Sequence, residues 1–417
     1  EHPKTSSMNS EKQSPRRWVG TNWAWWLAAA LLLLGATPAP AGEVRVSGFT
    51  AADFRWFPQS PRFDGQFSGV EVSAVINPAF RYKADSGGLQ VSFIPFVRLS
   101  GRDAERSHVD IREAYVAQRL GDWDYLVGIN KVFWGVTESR HLVNIINQTD
   151  AIEDTDGEDK LGQPMINVGL QKGWGRLEVF VLPGFRERPY SGSTGRLRAK
   201  ETVDDDQAVL ESDAENAHVD FAGRYSHFIG DWDVGLSLFH GLSREARLPI
   251  GAGGKRAPHY DLITQGGLDL QYTVDEWLWK FEGIVRGGHG DPFAAMVGGF
   301  EYTFFQVANS SADVGLLGEL HWDGRDQANA PATAFDNDLF IGTRLALNDV
   351  DDTQALAGGV IDVEDETVSL FLEADRRIGD TWKIETKARF LVNTSPDNVL
   401  APFKRDSFVN LRLSRYF

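Results

Sequence analysis

Apolar and polar residues alternate one for one through stretch after stretch of this chain. In "LQVSFIPFVRLS", Leu89, Val91, Phe93, Val97 and Leu99 share one parity, and Gln90, Ser92, Arg98 and Ser100 share the other. In "DEWLWKFEGIVRGG", Trp277, Trp279, Phe281 and Val285 oppose Lys280, Glu282 and Arg286. "SADVGLLGELHWDG" sets Val314, Leu316, Leu320 and Trp322 against Glu319, His321 and Asp323. "DTWKIETKARFLVN" sets Trp382, Ile384, Ala388, Phe390 and Val392 against Lys383, Glu385, Lys387 and Arg389. The stretch ending on Phe417, "SFVNLRLSRYF", places Val409, Leu411, Leu413 and Phe417 on one side. A period of two predicts strands with one greasy and one wet face. Soluble sandwiches alternate too, but over shorter strands. Runs of about ten or more residues suit a tilted strand crossing a bilayer.

The links between these runs alternate in length. Those at 393–404, 323–336, 244–260, 187–216 and 136–163 are long, and those at 379–381, 348–352, 308–312, 274–276, 230–231, 172–174, 121–122 and 84–88 are short. Links at 287–293, 100–107 and 58–66 are moderate, and 363–366 is brief. Short turns at one end and long loops at the other are the habit of membrane barrels. The count predicts an all-β, antiparallel up-and-down transmembrane barrel of about eighteen strands, with sixteen as the competing count. Short turns also carry a repeat: "GDWD" at 121–124 and 230–233, "GDTW" at 379–382 and "DEW" at 275–277. Trp123, Trp232, Trp382 and Trp277 therefore follow turns, as Trp174 does, and are expected to form an interfacial girdle. Pairing of the last strand with the first would close the sheet and remove its edges.

Composition sharpens this picture. The net charge of −17 argues against a nucleic-acid partner. No cysteine is present, so neither disulfides nor thiol chemistry arise. Lys12, Arg16 and Arg17 precede the apolar "WVGTNWAWWLAAALLLLGA" and a small-residue site at Ala39-Pro40-Ala41. That order predicts a signal peptide over 1–41, cut before Gly42, the alternative being a membrane-anchoring helix. Met8 reads as a natural start, which makes 1–7 an upstream extension. The barrel is assigned to 42–417, and no second apolar run of helical length occurs there, so any membrane crossing is by strands.

From Gly42 onward the chain resembles Gram-negative outer-membrane porins. The stretch "IREAYVAQRLGDWDYLVGINKVFWGVTES" is similar to a hairpin of porin-like and alginate-export-like families, and Phe417 looks like the assembly signal read by the barrel-assembly machinery. Arg415 departs from that signal, where another aromatic is more usual. The resemblance implies an outer-membrane location among lipid and lipopolysaccharide, a homotrimer, passive passage of small hydrophilic solutes, and no cofactor. It also implies that 136–163, the third extracellular loop from the N-terminus, folds into the lumen. Two alternative functions remain: a channel selective for carbohydrates or organic acids, and a scaffold sheathing another exported protein.

Candidate chemistry concentrates in that loop. It carries Asp150, Glu153, Asp154, Asp156, Glu158 and Asp159, and its "HLVNIINQ" supplies apolar residues suited to packing on an inner wall. Oxygen ligands at this density suit calcium, but Ile152 breaks the EF-hand spacing, and a solvated acidic loop is the plainer reading. No metal site is assigned. On inward parities the closing strands offer Arg377, Lys383, Lys387, Arg389 and Arg412, and the first strands offer Arg45, Arg55, Arg81 and Arg98. An acidic loop opposite this basic wall would set a transverse field across a narrow waist. The other reading pairs the basic residues with Glu373, Asp375 and Glu385 on their own wall. A second acidic stretch, "ETVDDDQAVLESDAEN", is expected on the exterior, where divalent cations would bridge it to lipopolysaccharide. Enzyme chemistry is not expected. No G-x-S-x-G or H-E-x-x-H occurs, and none of His108, His141, His218, His227, His240, His289 and His321 has an evident serine partner on a shared strand face.

Overall fold

A computed structural model describes residues 41–85 and 87–417, so the expected signal peptide falls, except for Ala41, outside the described residues. Eighteen barrel strands follow in order: β1 (Gly42–Phe57), β2 (Gly69–Ala84), β3 (Leu89–Ser100), β4 (His108–Leu120), β5 (Trp123–Asn130), β6 (Gln163–Lys172), β7 (Gly175–Pro183), β8 (Val219–Ile229), β9 (Trp232–Leu242), β10 (Leu262–Val274), β11 (Trp277–Gly288), β12 (Gly290–Phe304), β13 (Asp313–Asp323), β14 (Asn337–Ala346), β15 (Gln354–Asp362), β16 (Val368–Ile378), β17 (Trp382–Asn393) and β18 (Phe408–Tyr416). Each pairs antiparallel with its successor, as β1 with β2 and β17 with β18 do. β18 pairs with β1 in a register running from Phe49↔Tyr416 to Trp56↔Val409. Beyond that ladder, the Phe417 N–H donates to the Gly48 carbonyl at 3.1 Å and the Gly48 N–H to the Phe417 carbonyl at 3.2 Å. Gly48 has φ +144°, and a Cβ there would sit 2.7 Å from Pro78 Cα of β2, so the close approach of β1 and β2 at this point requires glycine.

Alternation sorts the side chains inside-out relative to a soluble barrel. Leu99, Val285 and Leu320 lie outward and exposed, while their strand neighbours Arg98, Arg286 and Glu319 are buried within. The girdle is present as well. Trp123, Trp174, Trp232, Trp277 and Trp382 are exposed at the short-turn end, with Trp232 stacked on Tyr272 at 4.6 Å and Trp277 against Tyr302 at 4.7 Å. A closed sheet with an outward apolar band pairs its peptide groups internally, as a hydrocarbon solvent demands.

Two links differ from expectation. The 287–293 stretch is no loop: β11 and β12 are joined through His289 alone. Flanking Gly288 (φ +115°) and Gly290 (φ +66°) allow that reversal, and the buried His289 fastens it through Asp261 at 2.8 Å and Ser243 at 3.1 Å. The segment expected at 136–163 begins earlier, because β5 stops at Asn130; the intervening 131–162 is here called L3. Remaining loop-end segments are 58–68, 101–107, 184–218, 243–261, 324–336, 363–367 and 394–407. Two of these, 184–218 and 243–261, are joined by a short parallel pairing of Val209–Leu210 with His259–Tyr260.

The lipid-facing assignment has a direct test. Arg at Leu316 or Leu370, both outward, should cost about 2–4 kcal/mol in unfolding free energy measured in lipid. Arg at Ser369 or Leu391, cross-strand partners on the inward parity of β16 and β17, should cost clearly less. Equal losses on both parities would contradict a single lipid face.

Candidate functional site

L3 enters the barrel and is gripped by its wall. Trp134, Leu142, Val143, Ile145 and Ile146 join one buried cluster with inward side chains including Met165, Phe180, Phe239, Ile263, Ile284 and Val297, from β6, β7, β9, β10, β11 and β12. Burying each such side chain contributes about 1.5–3 kcal/mol, which an exterior loop would forgo. An irregular segment also carries unpaired peptide N–H groups. Wall carboxylates take them. Glu282 accepts from the N–H groups of Val136 (2.8 Å), Thr137 (3.1 Å) and Val143 (3.1 Å), and Glu319 from those of Glu138 (2.7 Å) and Ser139 (2.9 Å). Arg140 reaches Asp323 at 2.8 Å.

The acidic half of L3 docks on the opposite wall. Arg98, fully buried on β3, donates to both Glu153 oxygens at 2.5 Å and to Asp53 of β1 at 2.6 Å. Arg412 of β18 completes the knot on Asp53 at 2.7 Å. Arg55 donates to the Glu153 carbonyl (2.9 Å), and Arg112 to Asp150 (2.6 Å). Lys387 bridges Asp154 (2.8 Å) and Asp156 (2.9 Å), and Arg389 joins Asp156 (3.2 Å) and Glu373. At the far end of the acidic string, Glu158 pairs with His141 at 3.0 Å within L3 itself. Burial opposes charge on His141, yet Glu158 and Glu282 outweigh it and raise its pKa to about 9. Asp159 is pushed up to about 6 by burial and by neighbouring Glu153 and Asp156.

These contacts revise the expected electrostatics. Arg98, Lys387, Arg389 and Arg412 do meet the acidic string or its support, but in direct ion pairs rather than across an open waist, and Arg55 meets it through the Glu153 carbonyl. Lys383 pairs instead with Asp375 (3.0 Å) and Glu385 (3.7 Å) on its own wall. Arg377 lies beside Asp352 of a short turn at 3.7 Å, and Arg45 and Arg81 are cross-strand partners, both exposed, toward the short-turn end. Strand tilt and length separate these three from L3. The anchoring role of Glu282, Glu319 and Asp53 was missed. In the sequence each shows only as a carboxylate on the inward parity of a strand.

Histidines find serines through the loops rather than along strands. Ser243, His289 and Asp261 have the connectivity of a catalytic triad, but Ser243 is fully buried, so its Oγ meets no solvent. The Ser139 hydroxyl contacts both Glu319 and His321 Nε2 (2.6 Å). One hydroxyl proton goes to the acceptor-only carboxylate, so His321 donates to Ser139 and is not poised as its base. His227 and His240 lie on outward parities near strand ends.

Above L3, a cavity of 1590 Å³ is bounded by the loop-end segments and by the inner faces of β14–β17. Phe340 and Phe371 stack there at 5.8 Å, with Arg389 over Phe371 at 5.5 Å. Against known proteins, the chain matches no family model and no curated sequence. Its fold does match solved structures. OccD3 (OpdP) of Pseudomonas aeruginosa is 10% identical with a TM-score of 0.54, over 92% of this chain and 93% of that one. A BenF-like porin from Pseudomonas fluorescens Pf-5 is 8% identical at 0.53, over 90% and 98%. Wzi, an outer-membrane protein of Escherichia coli, is 12% identical at 0.51, over 93% and 86%. The chain shares with these outer-membrane proteins the fold of a closed, porin-like antiparallel β-barrel.

Removing Arg98 strands Glu153 as a buried charge, while Asp53 keeps Arg412, and Arg98→Met should destabilise the barrel by about 3–5 kcal/mol and open L3 to protease. Denaturant midpoints and cleavage within 150–160 check it. The His141 anchor has a defined pH window. Its folded-state pKa is raised, so its contribution is complete below about 6.5 and fades as pH climbs through about 9. His141→Gln should flatten the loss of stability over that window.

Proposed function

We propose that the protein is a channel for passive passage of small hydrophilic solutes, narrowed by L3. The observation that supports this most directly is the course of L3, held by apolar packing on one wall and ion pairs on the other, beneath a cavity that opens among the long loops. Eighteen strands enclose a lumen too wide for wall side chains alone to fill. A segment laid through that lumen reduces it to solute dimensions, and the charges that flank the remaining path bias which ions pass. On this reading the outward face meets outer-membrane lipid, the exposed Asp205, Asp206 and Asp213 of 184–218 face lipopolysaccharide, and Phe417 serves assembly.

A second reading, selectivity for carbohydrates or organic acids, is favoured by the half-buried Phe371 and Arg389 at the cavity wall, since an aromatic ring and a guanidinium suit sugar rings and carboxylates. Wzi is described as a carbohydrate-binding β-barrel. A scaffold sheathing another protein would hold its bore shut or occupied.

Reconstitution in planar bilayers separates these. A channel conducts, and deletion of 144–160 in a folded barrel should raise its conductance. Lys387→Gln with Arg389→Gln releases Asp154 and Asp156 from their partners and should shift selectivity toward cations, whereas Asp154→Asn with Asp156→Asn should shift it toward anions. Sugar flux that saturates and falls with Phe371→Ala would favour the selective reading. No conductance from the folded barrel would sink both channel readings.

A further inference from the structure

We propose a divalent-cation site of calcium type at the loop-end rim, formed by Asp336, Asp338 and Asp362. Asp336 ends the 324–336 loop, Asp338 is the second residue of β14, and Asp362 is the last residue of β15. Asp338 and Asp362 are direct cross-strand partners. Like charges placed opposite each other in a ladder destabilise it unless something neutralises them.

Among the described residues no lysine or arginine forms an ion pair with any of the three. His321 and, more weakly, Arg140 are the basic groups that act on Asp338, and Arg140 is committed to Asp323 and to the Phe335 carbonyl, each at 2.8 Å. Asp338 is 3% exposed, and its Oδ2 is buried without a hydrogen-bond partner. His321 Nδ1 stands 3.9 Å from that oxygen, beyond hydrogen-bond reach. One imidazole, even protonated, balances one of the three clustered carboxylates, so the group retains negative charge that its burial disfavours.

The geometry supplies a place for one. An oxygen from each aspartate lies within 4.8 Å of the others. Oxygens sharing one calcium at about 2.3–2.6 Å stand up to about 5 Å apart, whereas magnesium, at about 2.0–2.1 Å, holds its ligands within about 4 Å of one another. The carboxylates are also held in place from behind. Asp362 accepts from the Glu364 N–H (2.8 Å), the Asp365 N–H (3.1 Å) and Asn398 (3.2 Å). Asp336 accepts from the Asn337 N–H (2.9 Å) and Gln327 (3.2 Å). Asp338 and Asp362 both border the large cavity, which gives an ion its entry path and room for water ligands. A bound ion would cross-link the 324–336 loop to the 363–367 and 394–407 loops. The other carboxylate group with a similar spacing, His108 with Asp150 and Glu153, differs in that Arg112 and Arg98 already neutralise its acids.

The test uses the full folded barrel in detergent, stripped with EDTA and titrated with calcium chloride or magnesium chloride into the millimolar range, where exposed modules bind. Calorimetry reads binding and thermal melting reads stability. Calcium should bind and raise the melting temperature, with magnesium weaker. Asp338→Asn and Asp362→Asn should each weaken calcium binding by about tenfold or more while heat-modifiable gel migration confirms the fold. Should Asp338→Asn fail to fold, Asp336→Asn carries the same expectation. Absence of any calcium effect on wild type, or an undiminished effect in the folded variants, overturns the site.

Discussion

In hydrocarbon a peptide group has no water to turn to, so each one left unpaired costs several kcal/mol. The seam between β18 and β1 answers that demand here. Once Val409–Tyr416 lies along Phe49–Trp56, no strand has a free edge, and the sheet tolerates lipid on its outer face. Closure then dictates the rest. Alternate side chains must turn outward and be apolar, and the others line a bore whose width follows from the number of strands.

A bore of eighteen strands creates a second problem, because its inner wall is itself partly apolar on the β6–β12 side. L3 solves it by covering that surface with Val143, Ile145 and Ile146. The cost is a stretch of irregular backbone in a confined space, and Glu282 and Glu319 meet that cost by accepting its N–H groups. Charge placement across the bore follows the same economy. Asp53, Glu153 and the Asp154–Asp156 pair face Arg98, Arg412, Lys387 and Arg389 at contact distance, so each buried ion has an opposite ion beside it. Such a lattice favours one position of L3 strongly, since any slip leaves several charges uncompensated at once.

Much of this was readable beforehand, and unevenly. Parity alone assigns Leu316, Leu320 and Phe390 outward, position after short turns assigns the five girdle tryptophans, and the rhythm of loop lengths gives the strand count. These properties depend on the dihedral geometry of a strand, which repeats every two residues whatever the surroundings. The reversal at His289 was not readable, because "GGHG" suits a flexible loop as well as a one-residue turn, and the choice rests on Asp261 and Ser243, both distant in sequence.

The sequence by itself determined the class of sheet, its two faces and the segment that carries most of the acid, because each is a local or periodic property of the chain. Only the tertiary structure decided what the inward charges do. Arg55, Arg81, Arg98 and Arg377 look alike in sequence, yet Arg98 locks L3 while Arg81 and Arg377 stand exposed toward the other end. That difference is set by height along tilted strands and by where L3 crosses the bore. The same holds for Asp338 and Asp362, separated by more than a whole strand in sequence and brought opposite each other by register alone. An ion pair falls off within a few ångströms, so which charges neutralise one another is a property of three-dimensional distance.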